Sequence, residues 1–178
     1  MSYSSVFHLV SSISQKQGVS CVLIGGFAVN YYKVTRQTAD VDFLITYDDF
    51  EKILPLLEKA GYKKDYVQEV FTRLKSNELY LMDIDFMFVD KDTLDKIIKG
   101  SKKAVIGGQE FTVPSLNNLI ALKLHSLKYN FKLREHKDLF DIIDLIRVNK
   151  VAYKSEEFKE LCLKYGTKEI YQNIIEKI

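Results

Sequence analysis

The stretch that decides the fold is Cys21-Val22-Leu23-Ile24-Gly25-Gly26, followed nine residues later by Arg36-Gln37-Thr38-Ala39-Asp40-Val41-Asp42. An apolar run leads directly into a pair of glycines, and two aspartates open a second apolar run. Residues two apart on a β-strand point to the same side of the sheet. We therefore expect the carboxylates of Asp40 and Asp42 to face one point, about 6–7 Å apart along the strand.

The two aspartates interrupt an otherwise apolar segment, since Phe43-Leu44-Ile45 follows Asp42. Two carboxylates on one face repel each other, and burying them is costly unless they are paired or bind a metal. Mg²⁺ is bound mainly through oxygen atoms and usually shares its coordination shell with phosphates. The pair Asp40 and Asp42 therefore predicts a divalent-cation site. The alternative is a solvated loop or a helix cap, where aspartate is common.

A second pair of aspartates, Asp83 and Asp85, lies in a strand predicted at residues 78–89. Phosphoryl transfer with two metal ions needs a further ligand or base near the attacking hydroxyl. Asp85 is the better candidate because Phe86-Met87-Phe88-Val89 follows it, as apolar residues follow Asp42. Asp83 is the alternative catalytic residue. The predicted metal ligands are thus Asp40, Asp42 and Asp85.

These motifs resemble those of the nucleotidyltransferase superfamily with the polymerase-beta-type fold. Within it, the chain is most similar to the small, toxin-like branch grouped with AbiEii-type and minimal nucleotidyltransferases. The resemblance covers residues 20–45 well, and residues 80–90 and 113–146 more loosely. It implies the transfer of a nucleoside monophosphate from an NTP, such as ATP, to a hydroxyl acceptor, with Mg²⁺ or Mn²⁺ as the cofactor.

In this family the glycine turn cradles the triphosphate, which makes Gly25 and Gly26 expected nucleotide-binding residues. Glycines let the backbone approach a ligand closely. Many members have a serine directly after the glycines, whereas this chain has Phe27 and lacks that hydroxyl. Arg36 and Thr38 match the Arg-x-Thr-x-Asp-x-Asp pattern of the family and are expected beside the nucleotide. Arg36 is expected to meet phosphate or to brace the carboxylates with charge-assisted bonds, and Thr38 could hydrogen-bond the backbone of the loop. An ordinary tight turn and a surface arginine are the alternatives.

The helical half carries a second, looser signature in Lys123 and in the Lys137-Asp138 step. Lys123 lies among apolar residues, an unfavourable place for an ammonium group without a partner. A phosphate oxygen would supply that partner, and snorkelling of the amine to solvent is the alternative. Lys137 is expected to bind phosphate or to pair with a carboxylate. Asp138 is expected to cap a helix, and Asp141 and Asp144 are expected on the polar face of that helix.

Composition limits the classes of protein that fit this chain of 178 residues. A hydrophobic fraction of 47% is too high for a disordered chain, and a net charge of +2 does not indicate a protein that coats nucleic acid. Cys21 and Cys162 belong to no metal-binding motif, and a disulfide is not expected. No signal peptide and no apolar run of roughly 20 residues is evident. We expect a cytoplasmic protein without membrane spans.

The pattern of apolar residues predicts an α/β (α+β) fold, with a small mixed β-sheet core flanked by helices. We expect the nucleotidyltransferase core in residues 1–113 and a helical region packed on it in residues 114–178. The predicted strands are 20–24, 41–46, 66–74, 78–89 and a hairpin over 104–113. The predicted helices are 4–17, 27–32, one from Asp48 or Asp49 to Gly61 that Pro55 kinks or delays, 92–99, 115–129 with Ser115 as N-cap, 137–147, and two short ones split near Gly166.

The residues identify neither the NTP nor the acceptor. The family resemblance implies a protein side chain or a tRNA as acceptor, and thus a toxin of a toxin–antitoxin or phage-defence system with a cognate antitoxin as partner. One alternative is an antibiotic nucleotidyltransferase that acts on a small molecule such as an aminoglycoside or a lincosamide. The other is a noncatalytic nucleotide-binding or antitoxin module of the same fold.

Overall fold

The computed structural model describes residues 3–78 and 80–178. The chain forms two compact units. The first contains the residues up to Ala28 together with Gln37–Pro114, and the second combines Val29–Arg36 with Ser115–Ile178. The domain division predicted at residue 113 stays a prediction. The structure shows in addition that the short segment Val29–Arg36 belongs with the C-terminal helices.

The first unit is built on a mixed sheet of seven strands, which confirms the predicted α/β fold class. The strands are β1 (Val22–Leu23), β2 (Asp40–Ile45), β3 (Tyr62–Gln68), β4 (Phe71–Ser76), β5 (Asp83–Phe88), β6 (Lys102–Ile106) and β7 (Gln109–Val113). Their order across the sheet is β3-β4-β5-β2-β1-β7-β6. Strands β2 and β5 are parallel, as are β1 and β7, and the other neighbours are antiparallel.

Helices flank this sheet: α1 (Val6–Gln17), α2 (Gly25–Tyr31), α3 (Tyr47–Lys59) and α4 (Lys91–Lys99). Helix α3 begins earlier than predicted, because the hydroxyl of Thr46, rather than a carboxylate of Asp48 or Asp49, accepts the hydrogen bond that caps its first turn. Pro55 lies inside this helix, which continues to Lys59. None of the described helices is long and apolar enough to cross a bilayer.

The core of the first unit lies on one face of the central strands. Strand β2 buries Val41, Phe43 and Ile45, strand β5 buries Ile84, Phe86 and Phe88, and helix α3 buries Phe50, Ile53, Leu54 and Leu57. Because side chains alternate along a strand, Asp40, Asp42 and Asp85 occupy the opposite face. Burial of the apolar face of β2 and β5 therefore fixes the direction in which the three carboxylates point.

The predicted strand at 66–74 is wrong, because the chain turns at Glu69 and Val70 and the segment contributes to two strands, β3 and β4. Residues 63–68 of β3 are exposed on both faces, so the alternation that would have marked this strand is missing. Strand β5 begins at Asp83, later than predicted, and Leu79 in the predicted strand 78–89 lies outside the described residues. The hairpin β6–β7 with Gly107 and Gly108 at its turn agrees with the prediction.

The second unit contains α5 (Leu116–Arg134), a π-helical turn (Glu135–Leu139), α6 (Phe140–Asn149), α7 (Glu156–Tyr165) and α8 (Lys168–Lys177). Ser115 caps α5 as predicted. Helix α5 extends past the predicted end at Tyr129, and Asn130 interrupts it with non-helical dihedral angles of −139° and 40°. The amide of Asn149 donates a hydrogen bond of 3.0 Å to the carbonyl oxygen of Tyr32, which ties the segment Val29–Arg36 to α6.

Candidate active site

Three carboxylates meet on the polar face of the central strands. The parallel pairing of β2 and β5 places Asp42 beside Asp85 and Asp40 beside Asp83. Asp40, Asp42 and Asp85 each offer a carboxylate oxygen, and these oxygens all lie within 4.8 Å of one another. We call these three residues the carboxylate triad. Asp85 is only 6% exposed, and the other two are half-buried.

Asp83 shares the face of Asp85 but is not a member of the carboxylate triad. Its Oδ1 accepts a hydrogen bond of 3.4 Å from the backbone N–H of Ser76 on the neighbouring strand. Of the two candidates for the third carboxylate, Asp85 is therefore the one that the sheet brings to the pair on β2. Which of the two is catalytic stays a prediction.

Arg73 on β4 is a residue of this site that the sequence analysis missed. The antiparallel register sets it directly opposite Asp85. Its Nε donates to Oδ1 of Asp85 at 2.7 Å, and its Nη2 donates to Oδ2 at 2.6 Å, while Nη2 lies 3.5 Å from Oδ2 of Asp40. The hydrogen bonds to Asp85 raise the pKa of Arg73 above its usual range. The available signal was its position between the buried residues Thr72 and Leu74.

The glycine turn lies directly against the carboxylate of Asp42. The φ angle of Gly25 is +61°, and a Cβ atom added there would overlap the carboxylate of Asp42. The backbone N–H of Ile24 also donates a hydrogen bond of 2.9 Å to the carbonyl oxygen of Asp42. The close approach of Asp42 therefore requires a glycine at position 25. Gly25 and Gly26 are the first two residues of α2.

Thr38 lies two residues before β2 and bonds to Asp40, the first residue of that strand. Its hydroxyl is 3.0 Å from both the carbonyl oxygen and Oδ1 of Asp40, and its single proton can serve either acceptor. The contact with the carbonyl oxygen is the expected bond to the backbone, and the contact with Oδ1 in addition supports the carboxylate of Asp40. The predicted contact of Thr38 with the nucleotide stays a prediction.

Lys123 belongs to a buried ion-pair network within the second unit. Its Nζ lies 2.9 Å from Oδ1 of Asp138 and 2.6 Å from Oδ2 of Asp141. The hydroxyl of Ser126 donates to the other oxygen of Asp138 at 2.8 Å, and Nη1 of Arg36 lies 3.3 Å from Oδ2 of Asp141. Two cations and two anions therefore balance inside the helical unit, as buried charges require.

The burial of this network corrects three expectations. Lys123 is 6% exposed, so its amine does not snorkel to solvent. Asp138 and Asp141 are buried partners of Lys123 rather than a helix cap and part of a polar face. Burial alone would raise the pKa of Asp138, but the charge and hydrogen bond of Lys123, with the hydroxyl of Ser126, hold it below its usual value.

The remaining predicted nucleotide-binding residues divide between the units. Gly25, Gly26 and Thr38 belong to the first unit, and Arg36, Lys123 and Lys137 belong to the second. The backbone N–H of Arg36 donates to Oδ1 of Asn30 at 2.8 Å, and the Asn30 amide donates to the carbonyl oxygen of Arg36 at 2.9 Å. Lys137 is exposed in the π-helical turn. Contacts of Arg36, Lys123 and Lys137 with phosphate stay predictions.

The mixed sheet and the carboxylate triad on its polar face are features of a nucleotidyltransferase. A sequence profile of the family described as "Uncharacterised nucleotidyltransferase" matches residues 11–176. The chain belongs to this family. No curated protein matches the sequence.

Solved structures share the fold. The antibiotic-resistance factor ANT(2'')-Ia in solution has a TM-score of 0.66 and 13% identity, covering 97% of this chain and 94% of that one. The lincosamide antibiotic adenylyltransferase LnuA, with lincomycin bound, has a TM-score of 0.55 and 20% identity over 78% of this chain and 93% of that one. An antigenic nucleotidyltransferase-like protein from Paracoccidioides brasiliensis has a TM-score of 0.57 and 15% identity over 96% and 90%. At these identities the similarity concerns the fold.

Proposed function

We propose that the protein transfers a nucleoside monophosphate from an NTP to a hydroxyl acceptor and uses Mg²⁺, or Mn²⁺, as its cofactor. The carboxylate triad of Asp40, Asp42 and Asp85 is the observation that carries this proposal. It offers only oxygen ligands, bears negative charge, and gathers its oxygens within 4.8 Å of one another. Hard divalent cations bind such a set of ligands. The residues present therefore fit the cofactor that the fold implies.

Each carboxylate has a role in this proposal. Asp40 and Asp42 would hold the cation that accompanies the NTP, and Asp85 would hold a second cation or accept the proton of the acceptor hydroxyl. The hydroxyl oxygen forms a bond to the α-phosphorus while the bond to pyrophosphate breaks. The bound cation would neutralise charge on the phosphates. Positioning of the reactants and electrostatic stabilisation would supply most of the rate.

The glycine turn supports the nucleotide side of this proposal. Because Gly25 and Gly26 carry no side chain, backbone lies against Asp42 at the place where a cation would bind. The triphosphate would therefore lie against this turn, with Thr38 holding Asp40 in place. The predicted phosphate contacts of Arg36 and Lys137 are part of the proposal, whereas the amine of Lys123 already has two carboxylate partners.

The sheet face beyond Asp85 favours a polyanionic acceptor such as a tRNA end. The register sets Arg73 opposite Tyr66 and Lys75 opposite Lys63, next to the carboxylate triad. Like charges that face each other across two strands repel, and a phosphate backbone would relieve this repulsion. Exposed aromatic rings such as Tyr66 can stack on unpaired bases.

A small-molecule hydroxyl is the second candidate acceptor. The fold similarity to ANT(2'')-Ia and to LnuA, whose structure holds lincomycin, favours it. The toxin role, a protein acceptor, a cognate antitoxin and the cytoplasmic location rest on the resemblance of the sequence to the AbiEii-type branch. These remain parts of the proposal.

The test is the transfer of radioactive label. Purified protein is incubated with Mg²⁺ and each α-³²P-labelled NTP, together with total tRNA, cell lysate, or an aminoglycoside and a lincosamide. We expect label on tRNA, its loss in Asp40→Asn and Asp85→Asn, and its retention in Glu51→Gln, an exposed acidic residue of α3. A smaller loss in Asp83→Asn than in Asp85→Asn would assign the third carboxylate. Label on the antibiotics alone would establish the second candidate acceptor, and no label anywhere would contradict catalysis.

A further inference from the structure

The guanidinium of Arg73 binds both oxygens of Asp85, the third carboxylate of the triad. Its guanidinium forms a two-pronged pair with Asp85 at 2.7 and 2.6 Å, and Nη2 lies 3.5 Å from Oδ2 of Asp40. Bidentate arginine–carboxylate pairs are among the strongest charge-assisted hydrogen bonds in proteins. One positive side chain thus serves two of the three residues that would bind the cation.

Asp85 needs such a counter-ion when no cation is bound. Its side chain is 8% exposed, and a buried carboxylate without a positive partner is strongly destabilising. A divalent cation at the same carboxylate would meet the guanidinium at close range, and the two positive charges would repel each other. Asp85 can therefore be neutralised by Arg73 or by the cation, and the two compete.

The exposures of the two side chains decide which of them moves. The side chain of Arg73 is 38% exposed, whereas that of Asp85 is 8% exposed. Arginine has a long, flexible stem, and solvent beside it can take up the released guanidinium. Asp85 is fixed by its place in a central strand that is paired on both sides. When a cation replaces the guanidinium, Arg73 is therefore the side chain that moves, and the carboxylate of Asp85 stays in position to bind the cation.

We propose that Arg73 is the built-in counter-ion of Asp85 in the metal-free enzyme and releases it when the cation binds. This inference rests on the proposed function, because it takes the carboxylate triad as the cation site. In this role Arg73 is a positioning residue. It holds Asp85 in place before the cation arrives, and it lowers the affinity for a cation bound without substrate.

The first test measures Mg²⁺ binding by calorimetry in the absence of nucleotide. We expect Arg73→Gln to lower the Kd for Mg²⁺ by about tenfold, because a nearby like charge is removed. The metal-free variant should also unfold at a lower temperature, with a larger rise on addition of Mg²⁺. Lys75→Gln is the matched control, since it removes one positive charge from the same strand and is expected to change the Kd by less than about twofold.

The outcomes separate this inference from the proposed function. Equal tightening in Arg73→Gln and Lys75→Gln would show a general charge effect and overturn the role of Arg73. Unchanged or weaker Mg²⁺ binding in Arg73→Gln would overturn it as well. If the double variant Asp40→Asn, Asp42→Asn binds Mg²⁺ as tightly as the parent, the cation site itself is refuted and the proposed function fails with it.

A second measurement uses the unaltered protein, so that it holds even if Arg73→Gln does not fold. The Nε–H group of Arg73 gives its own nitrogen NMR signal, which Arg73→Lys identifies by its loss. In the metal-free protein the bond to Asp85 should slow exchange of this proton with water. We expect saturating Mg²⁺ to accelerate the exchange. A protected, unshifted signal at saturating Mg²⁺ would overturn the proposal.

Discussion

Replacing Gly25 by alanine adds one carbon atom, the Cβ, beside Asp42 and so tests the geometry of the carboxylate triad. Gly25 has a φ of +61°, and the added Cβ would overlap the carboxylate of Asp42. Gly18 provides the matched control, since its φ is +63° and a Cβ there would meet nothing within 4 Å. The two substitutions share the same backbone strain, and only one of them displaces a predicted metal ligand.

The magnitudes follow from this difference. An L-residue in the left-handed region costs about 1–2 kcal/mol, which for a chain of this size lowers Tm by about 2–8 °C. Gly18→Ala should show this loss alone. Gly25→Ala should lose at least as much stability and, in addition, weaken Mg²⁺ binding by about 10–100-fold, the range seen when groups that orient a metal ligand are changed.

Thermal unfolding and calorimetric titration with Mg²⁺ measure both quantities on the same samples. The reasoning predicts that the two variants differ mainly in Kd for Mg²⁺. Gly25→Ala protein that binds Mg²⁺ as tightly as Gly18→Ala protein would refute the placement of Asp42 in a cation site. It would also show that the glycine turn can shift to make room for the added Cβ without moving Asp42.

Three further predictions concern side chains that make contacts within one unit or the other. Lys123→Met removes the ammonium group that pairs with the buried carboxylates of Asp138 and Asp141. It should lower the free energy of unfolding by about 3–5 kcal/mol in chemical denaturation. The native pKa of Asp138 lies below its unfolded value of about 3.9, so its stabilisation is present above that pH and is lost as the pH falls through the native pKa. Asp138→Asn should therefore flatten the acid limb of stability against pH. Thr38→Val removes the hydroxyl from Asp40 and should weaken Mg²⁺ binding by about tenfold in calorimetry.

Controls distinguish these effects from general disturbance. Lys137→Met removes an exposed lysine and should change stability by less than about 0.5 kcal/mol. Normal stability of metal-free, nucleotide-free Lys123→Met would show that the ion-pair network does not support the fold. An acid limb that Asp138→Asn leaves unchanged would contradict the low pKa of this carboxyl. Unaltered Mg²⁺ binding in Thr38→Val would mean that Asp40 needs no support from this hydroxyl.

The alignment of Asp40 with Asp42 could be predicted because it depends only on the two-residue period of a strand. Asp85 could be preferred over Asp83 because an apolar run follows it, as one follows Asp42. The period of a strand places Asp83 and Asp85 on the same face alike, so the choice between them as catalytic residue stays a prediction.

Arg73 could not be found in this way, because its place beside Asp85 depends on the register between β4 and β5. Strand β3 exposes residues 63–68 on both faces, so it carries no alternating pattern that would have marked it as the partner of β4. Without that hairpin, no register could be assigned. Pairing between strands is a tertiary property that propensity and local pattern do not carry.

The partners of Lys123 were missed for a different reason. The helix containing Asp138 and Asp141 was predicted as a regular one, with these aspartates as a cap and a polar face. The π-helical turn Glu135–Leu139 changes the phase of the chain before α6 begins, and both carboxylates are buried. The need of Lys123 for a partner was therefore visible in the sequence, but the identity of that partner was not.

The most direct test of the central claim is the Mg²⁺ dependence of NTP binding, measured by calorimetry with a non-hydrolysable NTP. The parent protein should bind the Mg²⁺ complex at least about tenfold more tightly than the nucleotide in chelator, because the carboxylate triad and the phosphates share the cation. The double variant Asp40→Asn, Asp42→Asn should lose this difference. An equal Mg²⁺-dependent gain in parent and double variant would contradict the assignment of these aspartates as the metal site.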